Sequence, residues 1–188
     1  MRKLLLIFAA IGMMAEFAGK VMGQGVDIPT AGEDITWSLS EMKLVGVVGT
    51  PPSLTFIQPT VAGDSILSAT AATSYLQYTS VVTGAKLRKI NVAISGTVPT
   101  STKLYVVAGA DAGSGNGTVG TASDVRGLVG SATALDIVTG IGSCFTNTGS
   151  TDGRLLTYTW SVIPTGWAAL KTTSGSSIHA TYTITDSQ

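Results

Sequence analysis

Period-two alternation of apolar and polar residues recurs along this chain. Between residues 177 and 185, Ile178, Ala180, Tyr182 and Ile184 alternate with Ser177, His179, Thr181 and Thr183, giving an extended chain one apolar and one hydroxylated face. Residues 154–163 repeat the scheme, with Leu156, Tyr158, Trp160 and Val162 on one side and Thr157, Thr159 and Ser161 on the other. Both segments are predicted to be half-buried antiparallel strands. Between them Pro164-Thr165-Gly166 reads as a turn, residues 167–170 as one helical turn and residues 174–177 as a Ser/Gly loop.

Residues 75–82 and 86–95 are two further β-prone runs, and Thr83-Gly84-Ala85 between them has the length of a hairpin loop. In the second run Arg88 aligns with Ile90, Val92 and Ile94, leaving Lys89, Asn91 and Ala93 on the wetter face. Residues 43–48, 54–57, 103–108 and 134–139 supply shorter strands, and Pro51-Pro52 and Val98-Pro99 mark breaks or sheet edges. Residues 109–120, rich in Gly, Ser and Ala, read as a flexible loop; residues 127–142 read as a bulged strand pair or a packing segment. The expected fold is all-β: a single antiparallel β-sandwich, Ig-like or jelly-roll, of about 8–10 strands.

The N-terminus departs from this pattern. Arg2 and Lys3, an apolar run over residues 4–14 and small residues near Gly23 read as an export signal covering residues 1–23. The run is shorter than the roughly 20 residues a bilayer span needs, and no later stretch reaches that length, so the mature chain is expected to have no membrane span. Residues 24–40 are expected to form an extended arm leading into the first strand, with Val26, Ile28, Trp37 and Leu39 as its candidate contact residues. Residues 41–188 then form the β domain.

Composition narrows the functional classes. Charged residues make up 12% of the chain, with 11 Lys and Arg balanced by 11 Asp and Glu. Removing the export signal takes away three cations and one anion, which leaves a net charge of about −2. Nucleic acid is not an expected partner, because Lys86, Arg88 and Lys89 are too few to make a phosphate-binding stripe. Cys144 is the only cysteine, so it forms no intrachain disulfide; it reads as a small buried hydrophobe beside Phe145. His179 is the only histidine, which leaves a zinc site short of ligands and a Ser-His-Asp triad with one candidate base and no G-x-S-x-G motif.

Past the signal the chain has only Glu33 and Glu41, and Asp111, Asp124, Asp152 and Asp186 fall in predicted turns, so a glycosidase pair is not visible. No enzymatic activity or cofactor is expected; the one metal reading is a structural calcium ion at Asp111 and Asn116 in the Gly-rich loop. Trp160 is assigned to the core. Trp167, after the Pro-Thr-Gly turn, is the candidate aromatic platform for a sugar.

An export signal, an extended N-terminal arm, one neutral Thr- and Gly-rich β domain and a final alternating strand together resemble the secreted structural subunits of bacterial surface fibres and fimbriae. The resemblance spans the whole chain past the signal. It implies a sheet completed by an extended strand from a neighbour, with residues 25–39 as the donor and copies of itself or other surface subunits as partners. Low charge fits, since edges are ordinarily blunted by Lys, Pro or bulges. The expected function is a secreted extracellular structural or adhesive subunit that self-assembles by strand addition. The alternative is a non-catalytic carbohydrate-binding module that takes glycans at Trp167 or Trp37.

Overall fold

The structure is a computed structural model that describes residues 32–128, 133–173 and 177–187. The expected export signal and two of the arm residues, Val26 and Ile28, lie outside the described residues. The chain divides into two units, Met1–Ser38 and Leu39–Gln188. Residues 32–38 of the first have no regular secondary structure. The second is all-β, with antiparallel sheets curled as a half-barrel.

Its strands are β1 (Met42–Gly49), β2 (Ala69–Val81), β3 (Arg88–Ser95), β4 (Thr102–Ala112), β5 (Asn116–Gly117), β6 (Thr121–Ala122), β7 (Asp124–Leu128), β8 (Leu135–Ile141), β9 (Cys144–Phe145), β10 (Gly153–Val162) and β11 (His179–Asp186). The expected count of 8–10 falls short of these eleven because β5, β6 and β9 are two residues each, too short to leave a period in the sequence. One sheet has the order β5-β9-β2-β10-β4-β7, with β1 also paired to β2; the other has the order β11-β3-β8-β6.

Alternation sets which side chains are buried. Leu76 and Tyr78 of β2, Leu104 and Val106 of β4, and Leu156 and Tyr158 of β10 join Ile90 and Val92 of β3, Ile137 and Val138 of β8, and Ile184 of β11 in one buried cluster. Each fully buried aliphatic side chain in it contributes roughly 1.5–3 kcal/mol relative to exposure. The apolar faces predicted for residues 154–163 and 177–185 both meet this core, with Ile178, Ala180, Tyr182 and Trp160 packed at its margin.

Four expectations need correction. The runs 75–82 and 86–95 are not a hairpin: β2 pairs with β1, β9 and β10, whereas β3 pairs with β11 and β8 in the other sheet. Both strands have one apolar face, and each turns it into the same buried cluster instead of sharing a ladder with the other. Residues 109–112 continue β4 instead of forming a loop, because β10 offers Gly153 and Arg154 as ladder partners for Ala112 and Asp111. Residues 54–57 make only an isolated bridge, Ile57 to Leu67. The helical turn near Trp167 is a 3-10 helix, Pro164–Ala169, starting at the proline instead of after it.

Candidate functional site

Exposed apolar side chains are concentrated in one part of the chain. Twelve large hydrophobics are exposed among the described residues, and nine lie between positions 35 and 67: Ile35, Trp37, Leu39, Met42, Leu44, Val47, Ile57, Val61 and Leu67. Scattered single exposures are ordinary, whereas a run of this density along the sequence is not. Ile35, Trp37 and Leu39 alternate with Thr36 and Ser38, the spacing that puts three side chains on one face of an extended segment. Trp37 is 88% exposed, and residues 32–41 pair with no strand.

The strand that follows is an edge. β1 pairs with β2 on one side, and among the described residues no strand lies on its other side. Val45 stands opposite Tyr78 and Val47 opposite Leu76, so both valines face the core. Val45 packs there, yet Val47 is 49% exposed beside a Leu76 that is fully buried. The core is therefore open along this half of β1. Residues 44–63 carry no charge, so none of the lysines that usually guard an edge stands there.

The other half of β1 is held by an ionic cluster. Arg88, with its guanidinium buried, donates to Glu41 Oε2 at 3.2 Å, to Asp186 Oδ1 at 3.1 Å, to the Ser80 hydroxyl and to the Met42 carbonyl. Lys86 adds a second cation to Glu41 at 3.3 Å. A hydrogen bond from Thr83 and then the Lys86 ammonium hold the Glu41 carboxyl at about 2, well below its ordinary range. This cluster joins β1, β2, β3 and β11. Arg88, which the sequence aligns with the apolar face of its strand, is buried accordingly.

A second buried arginine is structural. Arg154 donates to the Tyr78 hydroxyl at 2.8 Å and to the carbonyls of Gly109, Val119 and Gly120. Burial pushes the Tyr78 phenol up to about 12 against the pull of Arg154. Asp111 lies near this cluster with Oδ1 buried and without a partner. Burial raises its carboxyl, Arg154 opposes that rise and Asp152 adds to it.

The remaining sequence candidates are not brought together. Asn116 Oδ1 accepts the N–H of Gly117 instead of joining Asp111, and among the described residues no three His, Cys, Asp or Glu side chains gather as a metal site would require. Cys144 is buried in the core, whereas His179 is exposed on the outer, hydroxylated face of β11. Lys89 and Asp136 neutralise each other at 3.1 Å beside a shallow polar recess. Trp167 is 44% exposed on its 3-10 helix; among the described residues the paired aromatic rings are Phe56 and Trp160, at a centroid distance of 4.1 Å. Among the described residues no helix is long and apolar enough to cross a membrane.

Trp37 and Leu39 are exposed. Ile35, Val47, Ile57, Val61 and Leu67 were missed as surface residues. For Ile35 the signal was its alternation with Trp37 and Leu39; for the others an apolar residue in a β-prone or turn-rich run reads equally as core. No protein-family model, curated protein or solved structure matches the chain, so the geometry alone carries the functional argument.

Proposed function

We propose that this protein is an exported, extracellular structural or adhesive subunit that associates with copies of itself by adding an extended segment to an open sheet edge. The observation that carries this reading is that, among the described residues, nine of the twelve exposed large hydrophobics fall within residues 35–67, which include an unpaired alternating segment and a half-open edge strand. Strand addition uses both: backbone hydrogen bonds supply affinity and alternate side chains enter apolar gaps. We read the two sheets as the layers of a sandwich whose rim at β1 is left for that addition. The scarcity of charge between residues 44 and 63 supports the same reading, since it leaves the edge free to pair.

The test is the size and shape of the purified protein by gel filtration and negative-stain microscopy, with an unheated sample on a denaturing gel. Filaments, or a ladder that collapses on boiling, are the expected result. A monomer at every concentration overturns the reading.

A further inference from the structure

The backbone groups that β1 leaves free are fixed by its pairing with β2. Val45 stands opposite Tyr78, and Tyr78 commits its N–H and C=O to Thr146 on the far side of β2. Val45 and Tyr78 are therefore a non-hydrogen-bonded pair of the antiparallel ladder, so the N–H and C=O of Val45 point away from β2, and alternation gives Val47 the same orientation. The bond from the Thr50 N–H to the Thr73 carbonyl continues this alternation. Past Thr50 the chain runs through a lobe closed by the Ile57–Leu67 bridge before it returns as β2. The side chains of Val45 and Val47 share the core face of β1, and those of Leu44 and Val48 share its outer face.

Resting on the self-association reading above, we infer that the extended segment added at this edge is β1 of a second copy, antiparallel to the first and related to it by a two-fold axis through Gly46. Such an axis requires a surface that complements itself. Leu44-Val45-Gly46-Val47-Val48 meets that requirement, because it shows the same apolar pattern read from either end. With Gly46 opposite its own copy, Val47 meets Val45 of the second chain on the core side, and Leu44 meets Val48 of the second chain on the outer side. The pairing covers Val47, 49% exposed, and Leu44, 66% exposed. It also exchanges the outward N–H and C=O groups of Val45 and Val47 across the axis.

The side chains select this register. A shift of one residue sets the core face of one strand against the outer face of the other. An axis at Val45 presses Lys43 onto Val47, and an axis at Val47 breaks both the Val45–Val47 and the Leu44–Val48 pairs. With the axis at Gly46, Lys43 stands opposite Gly49, which has no side chain, and keeps its place 3.8 Å from Asp186. The two lysines then lie about 20 Å apart, at about 3.3 Å per residue. A two-fold contact closes on itself, so a filament made of such pairs grows through other surfaces.

Cross-linking reads the register directly. A Cβ added at Gly46 meets nothing within 4 Å in the single chain, so Gly46→Cys should fold. Gly46 and its copy form a non-hydrogen-bonded pair with Cα atoms about 4.5 Å apart, inside the roughly 4.4–6.8 Å that a disulfide spans. Under a mild oxidant Gly46→Cys should run as a covalent dimer on a non-reducing gel, whereas Leu44→Cys, which faces Val48 and not its own copy, should stay a single chain. Wild type is the control, since its Cys144 is buried. Val47→Pro removes an N–H that points away from β2 and so spares the β1–β2 ladder; with the fold checked by circular dichroism, it should give a single-chain mass in light scattering where wild type gives twice that mass or more. A Gly46→Cys protein that associates but stays reduced, or a Leu44→Cys protein that cross-links as readily, overturns this pairing while the self-association reading stands. A wild type that is monomeric at every concentration overturns both.

Discussion

The hydroxyls of Tyr158 and Tyr182 meet at 2.7 Å and join β10 in one sheet to β11 in the other. Both phenols are raised above their ordinary range, chiefly by burial. The Ser74 hydroxyl also pulls the Tyr158 phenol down, and it exerts no such pull on Tyr182.

That asymmetry gives an ordered expectation. Tyr158→Phe leaves the Tyr182 hydroxyl orphaned and should cost about 1–3 kcal/mol, whereas Tyr182→Phe leaves Tyr158 still under the influence of the Ser74 hydroxyl and should cost about 0.5–1.5 kcal/mol. The double variant should cost less than Tyr158→Phe, because it also removes the orphaned hydroxyl. Urea denaturation of the three proteins measures the series, and equal single-variant costs would contradict it.

Arg154 should be among the most sensitive positions in the domain. Arg154→Met removes the donor for the Tyr78 hydroxyl and for three carbonyls, which should destabilise the fold by about 3–5 kcal/mol. Arg154→Lys should recover little of this, since one ammonium cannot span the positions that a planar guanidinium reaches. Thermal melts of the two variants against wild type test it.

The Glu41 cluster predicts an acid limb in stability. The folded carboxyl titrates at about 2 against an ordinary 4.5, so its contribution is fully present above the ordinary value and is lost as pH falls toward 2. Glu41→Gln should lower stability at neutral pH and flatten the loss between those two values. Denaturant midpoints measured from pH 7 down to pH 2 report the difference, and parallel curves for variant and wild type would reject this role.

Cys144 should be unreactive in the folded protein. The thiol is buried, and burial followed by the Asp111 charge holds it above its ordinary range, so little thiolate forms at pH 8. A disulfide reagent should label it only after denaturant is added. Fast labelling of the native protein would mean that the core around β9 opens.

Gly153 illustrates a backbone requirement. Its φ of +90° and the closeness of the Leu76 carbonyl leave no room for a Cβ at the start of β10. Gly153→Ala should destabilise by about 1–3 kcal/mol through strain and displacement of the β2–β10 ladder. A chemical denaturation curve gives the value.

The sequence by itself determined the β class and the inward faces of the longer strands. Ile178, Ala180, Tyr182 and Ile184 were placed correctly because alternation is a local property, readable wherever one face of a strand is buried. The alignment of Arg88 with Ile90, Val92 and Ile94 was equally legible, although the anions that neutralise it, Glu41 and Asp186, lie far off in the chain. The alternation of Ile35, Trp37 and Leu39 with Thr36 and Ser38 was legible for the same local reason, as was the Gly-Ala turn after β2. What only the tertiary structure decided was partnership. Whether that turn made a hairpin or a crossing between sheets depended on which neighbours β2 and β3 found, and the Gly-rich stretch after Ala108 became strand because β10 lay beside it. Exposure of Val47 and of the Ile57–Leu67 lobe was likewise set by what fails to cover them, and a side chain's own chemistry carries no record of its neighbours.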